Sequence, residues 1–564
     1  MCGIAGTVGL GSNVEDVKNM CKSMLHRGPD NTGIWEDQEN CVLGHNRLSI
    51  IDLSDEANQP FLSASQRYVL VFNGEIYNYI ELRDQLEIKN FRTKSDTEVL
   101  IEAYEKWGKA MLDKLNGMFA FAIWDKKEKK LFAARDRFGV KPYYYAVKEE
   151  KLYFASEIPP LFKAGIPKKP NLAIWSSYFI SGKYGVGKET FWEGVNSLEP
   201  GFILEYKNGQ TEVQPWYDFE KRIIEIRNNP ITDSKEFLKN LLLDSTKLRF
   251  RADVPVGFNL SGGLDSSMLF SLINSQFGSD SNIEAFTFYT GDSRYDELEY
   301  VESLLKGSNF KLNPVLLTAS EVPNLAQEIA IQQMEPYGGL PTIAYSKLFK
   351  DAANKGFKVL LDGQGADESW AGYDYYFNDS NLTLQGVNSS PFRANVLKDD
   401  FLIHQSKVSY TPTFEEKLLN LQYRDLFHTK LQRALRFSDR VSMMSSTELR
   451  EPFLDYRLVE HVFALPLEMK KRNNTQKWLF REIADDFLHN DLRLAPKRPL
   501  QTPQREWFGG ELKEWVADNA LSLDKLSWFN MNELKKEIDK YINGEQDSSF
   551  HLWQWVNTAL IFSC

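Results

Sequence analysis

Apolar and polar positions divide the chain into two regimes. Over about the first 200 residues, short apolar or alternating runs recur at 4–8, 41–51, 68–72, 118–124, 131–134, 143–146 and 152–155. Runs of this length predict strands, with turn signals at 125–130 and 207–210. Helical spacing appears at 14–25, 79–86 and 95–107, where Ser95 is placed as the N-cap and Glu98 as its capping-box partner. Many strands with few helices predict a layered α+β or β-sandwich-core domain.

The pattern changes after about Trp216. A helical stretch at 232–251 leads to strand-like 256–260, a glycine-rich turn and helical 266–275. Strand-like 285–289, helical 296–306 and 322–354, and strand-like 357–361 follow. Strand–helix alternation of this kind predicts a parallel, doubly wound sheet. From about Phe414 the chain reads as helical with no clear strand. The polar stretch 222–230 places a boundary within 205–232, so the expected division is a domain at 2–205, a linker at 206–232 and a domain at 233–564.

Composition narrows the possible functions. Apolar residues are 42% and charged residues 26% of 564, an ordinary globular balance. The net charge is −11 with no basic block, which argues against nucleic acid as the main partner. No apolar run approaches the ~20 residues of a membrane helix, and MCGIAG lacks the pattern of a signal peptide. A soluble cytoplasmic protein is the expectation. The four cysteines, Cys2, Cys21, Cys41 and Cys564, form neither a disulfide framework nor a zinc spacing.

Cys2 stands one residue from the start. Removal of Met1 would leave a thiol and a free α-amine on one residue. With a pKa near ~8, that amine can take the thiol proton, a self-contained nucleophile and base. Three blocks could serve it: GHNRLSI at 44–50, FNGEIYN at 72–78 and KSD at 94–96. Arg47 can hold a carboxylate bidentately and Asp96 an ammonium. The Asn73 amide and the Gly74 backbone N–H can stabilise an oxyanion. Each block alone would read as a strand-edge turn or a surface ion pair.

Taken together, MCGIAG, HRGPD (26–30), GHNRLSI, FNGEIYN and SDTE (95–98) resemble the class II glutamine amidotransferase domain over roughly residues 2–200, with RDRFG (135–139) and Lys141-Pro142 in addition. The resemblance implies an N-terminal nucleophile fold, a four-layered αββα sandwich. It implies Cys2 as the nucleophile that releases ammonia from glutamine, with Asn73 and Gly74 as the oxyanion hole. Arg47, Leu48, Ile50, Ile51, Asn73, Gly74, Glu75 and Asp96 would bind glutamine.

In the second half, SGGLDSS (261–267) joins a strand to a helix N-terminus, an arrangement that suits an anion. It lacks the lysine of a Walker loop and resembles the pyrophosphate loop of ATP pyrophosphatases. A second turn, DGQGADE (362–368), also follows a strand, and Asp265 and Asp367 could share a Mg²⁺. With SDR (438–440), ELREPFLD (448–455) and PKR (496–498), these motifs resemble the synthetase domain of glutamine-hydrolysing asparagine synthetases. That family implies an α/β parallel-sheet ATP-pyrophosphatase domain with a helical C-terminal part. ATP would lie on Leu260, Ser261, Gly262, Gly263, Asp265, Ser266, Phe288, Asp362 and Gly363. Lys497 would contact the phosphates, and Gln364 would sit at the acyl-transfer site.

The implied reaction consumes L-aspartate, L-glutamine and MgATP and gives L-asparagine, L-glutamate, AMP and diphosphate through an acyl-adenylate. Ammonia would need a shielded route, to which Met118, Phe119, Phe121 and Ile123 could contribute, although they read first as plain core. The match departs at one position. The asparagine-forming enzymes commonly carry SGEGSDE, with a glutamate where this chain has Gln364. An amide cannot act as a general base at neutral pH, so another group such as Glu448 would take the proton, or ammonia would attack unaided. DGQGADE also occurs in relatives that look like amidotransferases of surface-polysaccharide clusters, so a sugar uronate or other carboxylate stands as the alternative acceptor. A glutamine-sensing protein with an inactive second half is a further alternative, against which SGGLDSS, Asp367 and Lys497 speak. A homodimer is compatible with the sequence.

Overall fold

Strand Tyr68–Ile76 shows how the first half is built. Val69 and Val71 face one side while Leu70 and Phe72 face the other, and all four are buried. The neighbouring strand Gly117–Asp125 repeats this, with Ala120, Ala122 and Trp124 on one side and Phe119, Phe121 and Ile123 on the other. Period-2 side chains with both faces buried require layers above and below. In the computed structural model these strands belong to a six-stranded antiparallel sheet. A second six-stranded antiparallel sheet, with Gly3–Val8 between Lys151–Ala155 and Cys41–Arg47, packs on its inner face. Helices Tyr79–Leu86 and Asp96–Trp107 cover one outer face, and Val14–Ser23 and Ile158–Lys163 cover the other. The result is the expected αββα sandwich. The structure describes all residues except 39, 186, 281, 379–389, 407–408, 497–500, 546–547 and 564.

The second half is built on a five-stranded parallel sheet. Its order is Lys311–Leu316, Glu284–Tyr289, Val256–Asn259, Val359–Leu361, Glu448–Arg450. The chain first winds outward from Val256–Asn259 and then returns to its other side, so a crevice opens at the carboxyl ends of Val256–Asn259 and Val359–Leu361. The SGGLDSS and DGQGADE turns leave those two ends. Helices dominate the rest, ending with Phe550–Phe562, whose Gln554 amide donates to Tyr178 O in the first half.

Four sequence expectations need correction. The stretch 206–232 is not an open linker. It contains the end of strand Phe202–Lys207, the edge strand Gln210–Pro215 and helix Phe219–Asn228. Phe219 and Ile223 are buried there, an amphipathic signal too short to separate from a polar loop by eye. The 322–354 helix is two helices, Val322–Gln333 and Leu340–Asn354, broken where Met334 turns left-handed before Pro336-Tyr337-Gly338-Gly339. Strand Glu448–Arg450 lies in the region read as helical. It has three residues, two of them charged, and is stabilised by sheet pairing and buried ion pairs rather than by apolar periodicity. At 95–107, Ser95 Oγ caps the Glu98 N–H as expected. The Glu98 carboxylate does not reciprocate and instead accepts from the Arg92 and Thr93 N–H groups.

The halves meet across a polar, buried seam. Arg27 is fully buried, and its Nη1 lies 2.8 Å from Glu157 and 2.9 Å from Asp439. Arg440 pairs with Glu335 and donates to Tyr144 OH, Lys141 Nζ donates to Leu449 O, and Asn116 Nδ2 donates to Asp455. The HRGPD, SDR and ELREPFLD motifs therefore hold the halves together. Buried charges are tolerated here because each finds a partner.

Candidate active sites

Cys2 precedes strand Gly3–Val8 and faces the strand that carries Asn73, Gly74 and Glu75. The Cys2 backbone N–H donates to Asn73 Oδ1 at 3.0 Å. Asn73 Nδ2 is buried and has no hydrogen-bond partner among the described residues, which leaves an unpaired donor on the residue bonded to Cys2. Gly74 has φ +155°, and a Cβ there would lie 2.1 Å from Met118 O, which explains the glycine sterically. Met1, Cys2, Arg47, Leu48, Ile50, Ile51, Gly74, Glu75 and Asp96 line one small cavity of ≈30 Å³. Every glutamine-binding position expected from the sequence is thus at or beside one place.

The charged groups there are held differently. Arg47 ends strand Cys41–Arg47 and donates to Ser54 O, Asn58 Oδ1 and Asp52 O. Those three bonds leave about two of its five N–H donors for a ligand. Asp96 opens its helix and accepts from the Ile76 N–H at 2.9 Å, and burial raises its pKa to about 6 against that bond. Glu75 is pushed up by burial and by Glu448, with Arg450 opposing at 3.4 Å. Burial pushes the Cys2 thiol up, against the pull of the N-terminal ammonium. That ammonium, on Met1, lies 2.5 Å from Glu448 Oε2, with both groups fully buried. Cys21 and Cys41 are buried core thiols, and Cys564 lies outside the described residues.

The second site lies in the crevice of the parallel sheet. Ser261, Gly262, Gly263, Asp265, Ser266, Asp362, Gly363, Gln364 and Asp367 line a cavity of ≈1060 Å³. Ser266 Oγ donates to Ser261 O at 2.7 Å and fixes the turn. The Gly262 N–H donates to Glu297, and the Gly363 N–H to Asp362. Leu260 and Phe288 line an adjoining small cavity with Tyr345, whose ring meets Phe288 edge-on. Of the expected set, Lys497 lies outside the described residues.

Sequence reasoning missed Lys477. Its Nζ lies 2.6 Å from Asp265 Oδ1 and 2.7 Å from Asp367 Oδ1. A lone lysine in a run of mixed charge carries no motif signal; only folding places it between the two aspartates. The donor set still fits a divalent cation, because Mg²⁺ takes one or two carboxylates and completes its shell with water and phosphate oxygens. Among the described residues, no group of three or more His, Cys, Asp or Glu side chains converges as a metal site.

Met118 lines a second small cavity between the halves with Tyr77, Val140, Arg249 and Glu451, whereas Phe119, Phe121 and Ile123 belong to the core of the first half. Glu448 does not fit the proton-accepting role raised from the sequence. It is fully buried and its Oε1 is taken by Arg450 Nε at 2.6 Å, a partner that removal of Met1 leaves in place.

An αββα layer with a cysteine beside an amide donor, joined to a parallel sheet with a glycine-rich crevice, is the architecture expected of a glutamine amidotransferase coupled to a synthetase. Residues 1–217 match the glutamine amidotransferase domain model and residues 238–563 the asparagine synthase model. The chain belongs to the asparagine synthase family and is an asparagine-synthetase-type, glutamine-dependent carbon–nitrogen ligase. It is 28% identical to asparagine synthetase [glutamine-hydrolyzing] 1 of Bacillus subtilis, over 100% of this chain and 96% of that one. It is 27% identical to asparagine synthetase [glutamine-hydrolyzing] 3 of the same organism, over 97% and 94%. Amidase chry2 of Gibberella zeae is 25% identical over 94% and 92%. Among the described residues no helix is long and apolar enough to cross a membrane.

Proposed function

We propose that the enzyme converts L-aspartate, L-glutamine and MgATP to L-asparagine, L-glutamate, AMP and diphosphate. Once Met1 is removed, the Cys2 amine takes the thiol proton and the thiolate attacks the glutamine side-chain amide. Asn73 Nδ2 and the Gly74 N–H receive the developing oxyanion. Arg47 takes the substrate carboxylate, and Asp96 and Glu75 take its ammonium. The observation that carries this half is the unpartnered, buried Asn73 Nδ2 beside Cys2.

In the second site, the Ser261–Ser266 turn and the positive end of helix Leu264–Phe277 hold phosphates. Asp265 and Asp367 would hold a Mg²⁺, which offsets charge on the leaving pyrophosphate. Lys477 supplies further positive charge. An acceptor carboxylate oxygen attacks the α-phosphorus, pyrophosphate leaves, and ammonia then displaces AMP from the acyl carbon.

Aspartate as acceptor is supported by the full-length similarity to proteins named asparagine synthetase. Gln364, which stands in DGQGADE where the asparagine-forming enzymes commonly carry SGEGSDE, favours a second reading in which another carboxylate such as a sugar uronate is amidated. A pyrophosphate-release assay with MgATP, glutamine and a panel of carboxylic acids decides between them. Release with aspartate supports the first reading; release with a uronate but not with aspartate replaces it.

A further inference from the structure

The acyl-transfer step needs a proton acceptor that the positions considered so far do not supply. When ammonia attacks an acyl-adenylate, its lone pair forms the C–N bond and the carbonyl electrons move to oxygen. The nitrogen then sheds one proton, and collapse breaks the C–O bond to AMP. Gln364 has an amide where a base is needed. Glu448 is already committed to Arg450, whose Nε lies 2.6 Å from its Oε1.

Glu451 is placed differently. It directly follows strand Glu448–Arg450 and is 4% exposed. Its carboxylate lies within hydrogen-bonding reach of the Gln364 backbone N–H. Its Oε2 has no hydrogen-bond partner among the described residues. It lines the small cavity between the halves beside Met118 and Val140, while Gln364 lines the large synthetase cavity. Glu451 therefore stands in the wall between the side that would deliver ammonia and the side that would use it. Burial and the nearby Asp362 raise its pKa well above the ordinary carboxylate value, against Lys141, the Gln364 N–H and Arg249. A carboxylate so placed is a stronger base near neutral pH than an exposed one.

Resting on the acyl-adenylate reading above, we propose that Glu451 Oε2 accepts the proton released by the attacking ammonia, the task that Gln364 cannot perform. The test uses full-length enzyme with MgATP and aspartate. Glu451→Gln should lower ammonia-dependent amide formation about 10²-fold or more. Glutaminase activity, and aspartate-dependent pyrophosphate–ATP exchange without a nitrogen donor, should stay at the wild-type rate. Glu451→Asp should recover part of the loss. The wild-type rate, referred to free ammonia, should rise with pH through the Glu451 titration, and the Gln variant should lose that limb. An unchanged ammonia-dependent rate, an equal loss of exchange, or a loss confined to glutamine-dependent synthesis would each overturn the proposal. If wild-type enzyme shows no exchange with aspartate, the acceptor assignment fails by itself. The same comparison is then made with the panel carboxylate that supports exchange, and exchange with none of them rejects the acyl-adenylate reading and this proposal with it.

Discussion

The Lys477 ammonium meets Asp265 in a two-pronged ion pair, with Nζ 2.6 Å from Oδ1 and 2.7 Å from Oδ2. The same nitrogen reaches Asp367, so one cation joins the two glycine-rich turns of the synthetase crevice. Burial works against the charge on Lys477, but the two aspartates more than offset it and raise its pKa.

Removing that charge should stop pyrophosphate chemistry without touching the glutaminase. Lys477→Met is expected to lower pyrophosphate release about 10²- to 10³-fold, the scale of a lost electrostatic donor. Asp265→Ala should behave alike. Glutamine hydrolysis measured on the same preparations serves as the control, and normal pyrophosphate release would disprove the placement of both residues.

Cys2→Ala should abolish glutamine-dependent product and leave ammonia-dependent product intact. Mass spectrometry of active enzyme should find Met1 removed, because the Cys2 nitrogen must become a free amine. Glutamine-dependent synthesis by the alanine variant would be incompatible with the assigned nucleophile.

The position of Asp96 predicts a pH dependence. Its carboxyl is raised to about 6, mainly by burial, so the ionised form that can hold an ammonium is lost below that value. The glutaminase kcat/KM should fall as pH drops through about 6, and Asp96→Asn should flatten this limb while lowering the plateau. Stability runs the opposite way. The folded state binds the proton more tightly, so this contribution is full below the ordinary value of 3.8 and is lost as pH rises through about 6.

Arg27 tests the seam. Arg27→Ala leaves Glu157 and Asp439 buried without their shared cation and should cost about 3–5 kcal/mol, read as an earlier urea midpoint. Arg27 Nε also donates to the Cys2 carbonyl at 3.1 Å, so the glutaminase should weaken too. Adding Asp439→Ala should cost less than the sum of the two single changes, because they remove one shared interaction.

These residues differ in how far the sequence revealed them. Cys2, Asn73, Arg47 and Asp96 lie in blocks that together resemble one family, and the fold brings Cys2, Arg47 and Asp96 to one cavity with Asn73 hydrogen-bonded beside it. A layered, strand-rich first half was legible because strands buried on both faces read as short apolar runs, and the αββα order came from the family resemblance. Lys477 was not legible, since its neighbours in sequence share none of its chemistry. Glu448–Arg450 was not read as a strand, because long-range pairing rather than periodicity makes it one. Helix Phe219–Asn228 was hidden by polar residues on its exposed face.

That short strand has a wider consequence. Arg450 answers Glu75 and Leu449 lends its carbonyl to Lys141, while Asp439 answers Arg27 close by. Each half has buried ions whose counter-ions belong to the other half. The halves are thus not interchangeable modules. A chimera or a split enzyme would strand these ions in apolar surroundings unless the matching side chains travelled with them.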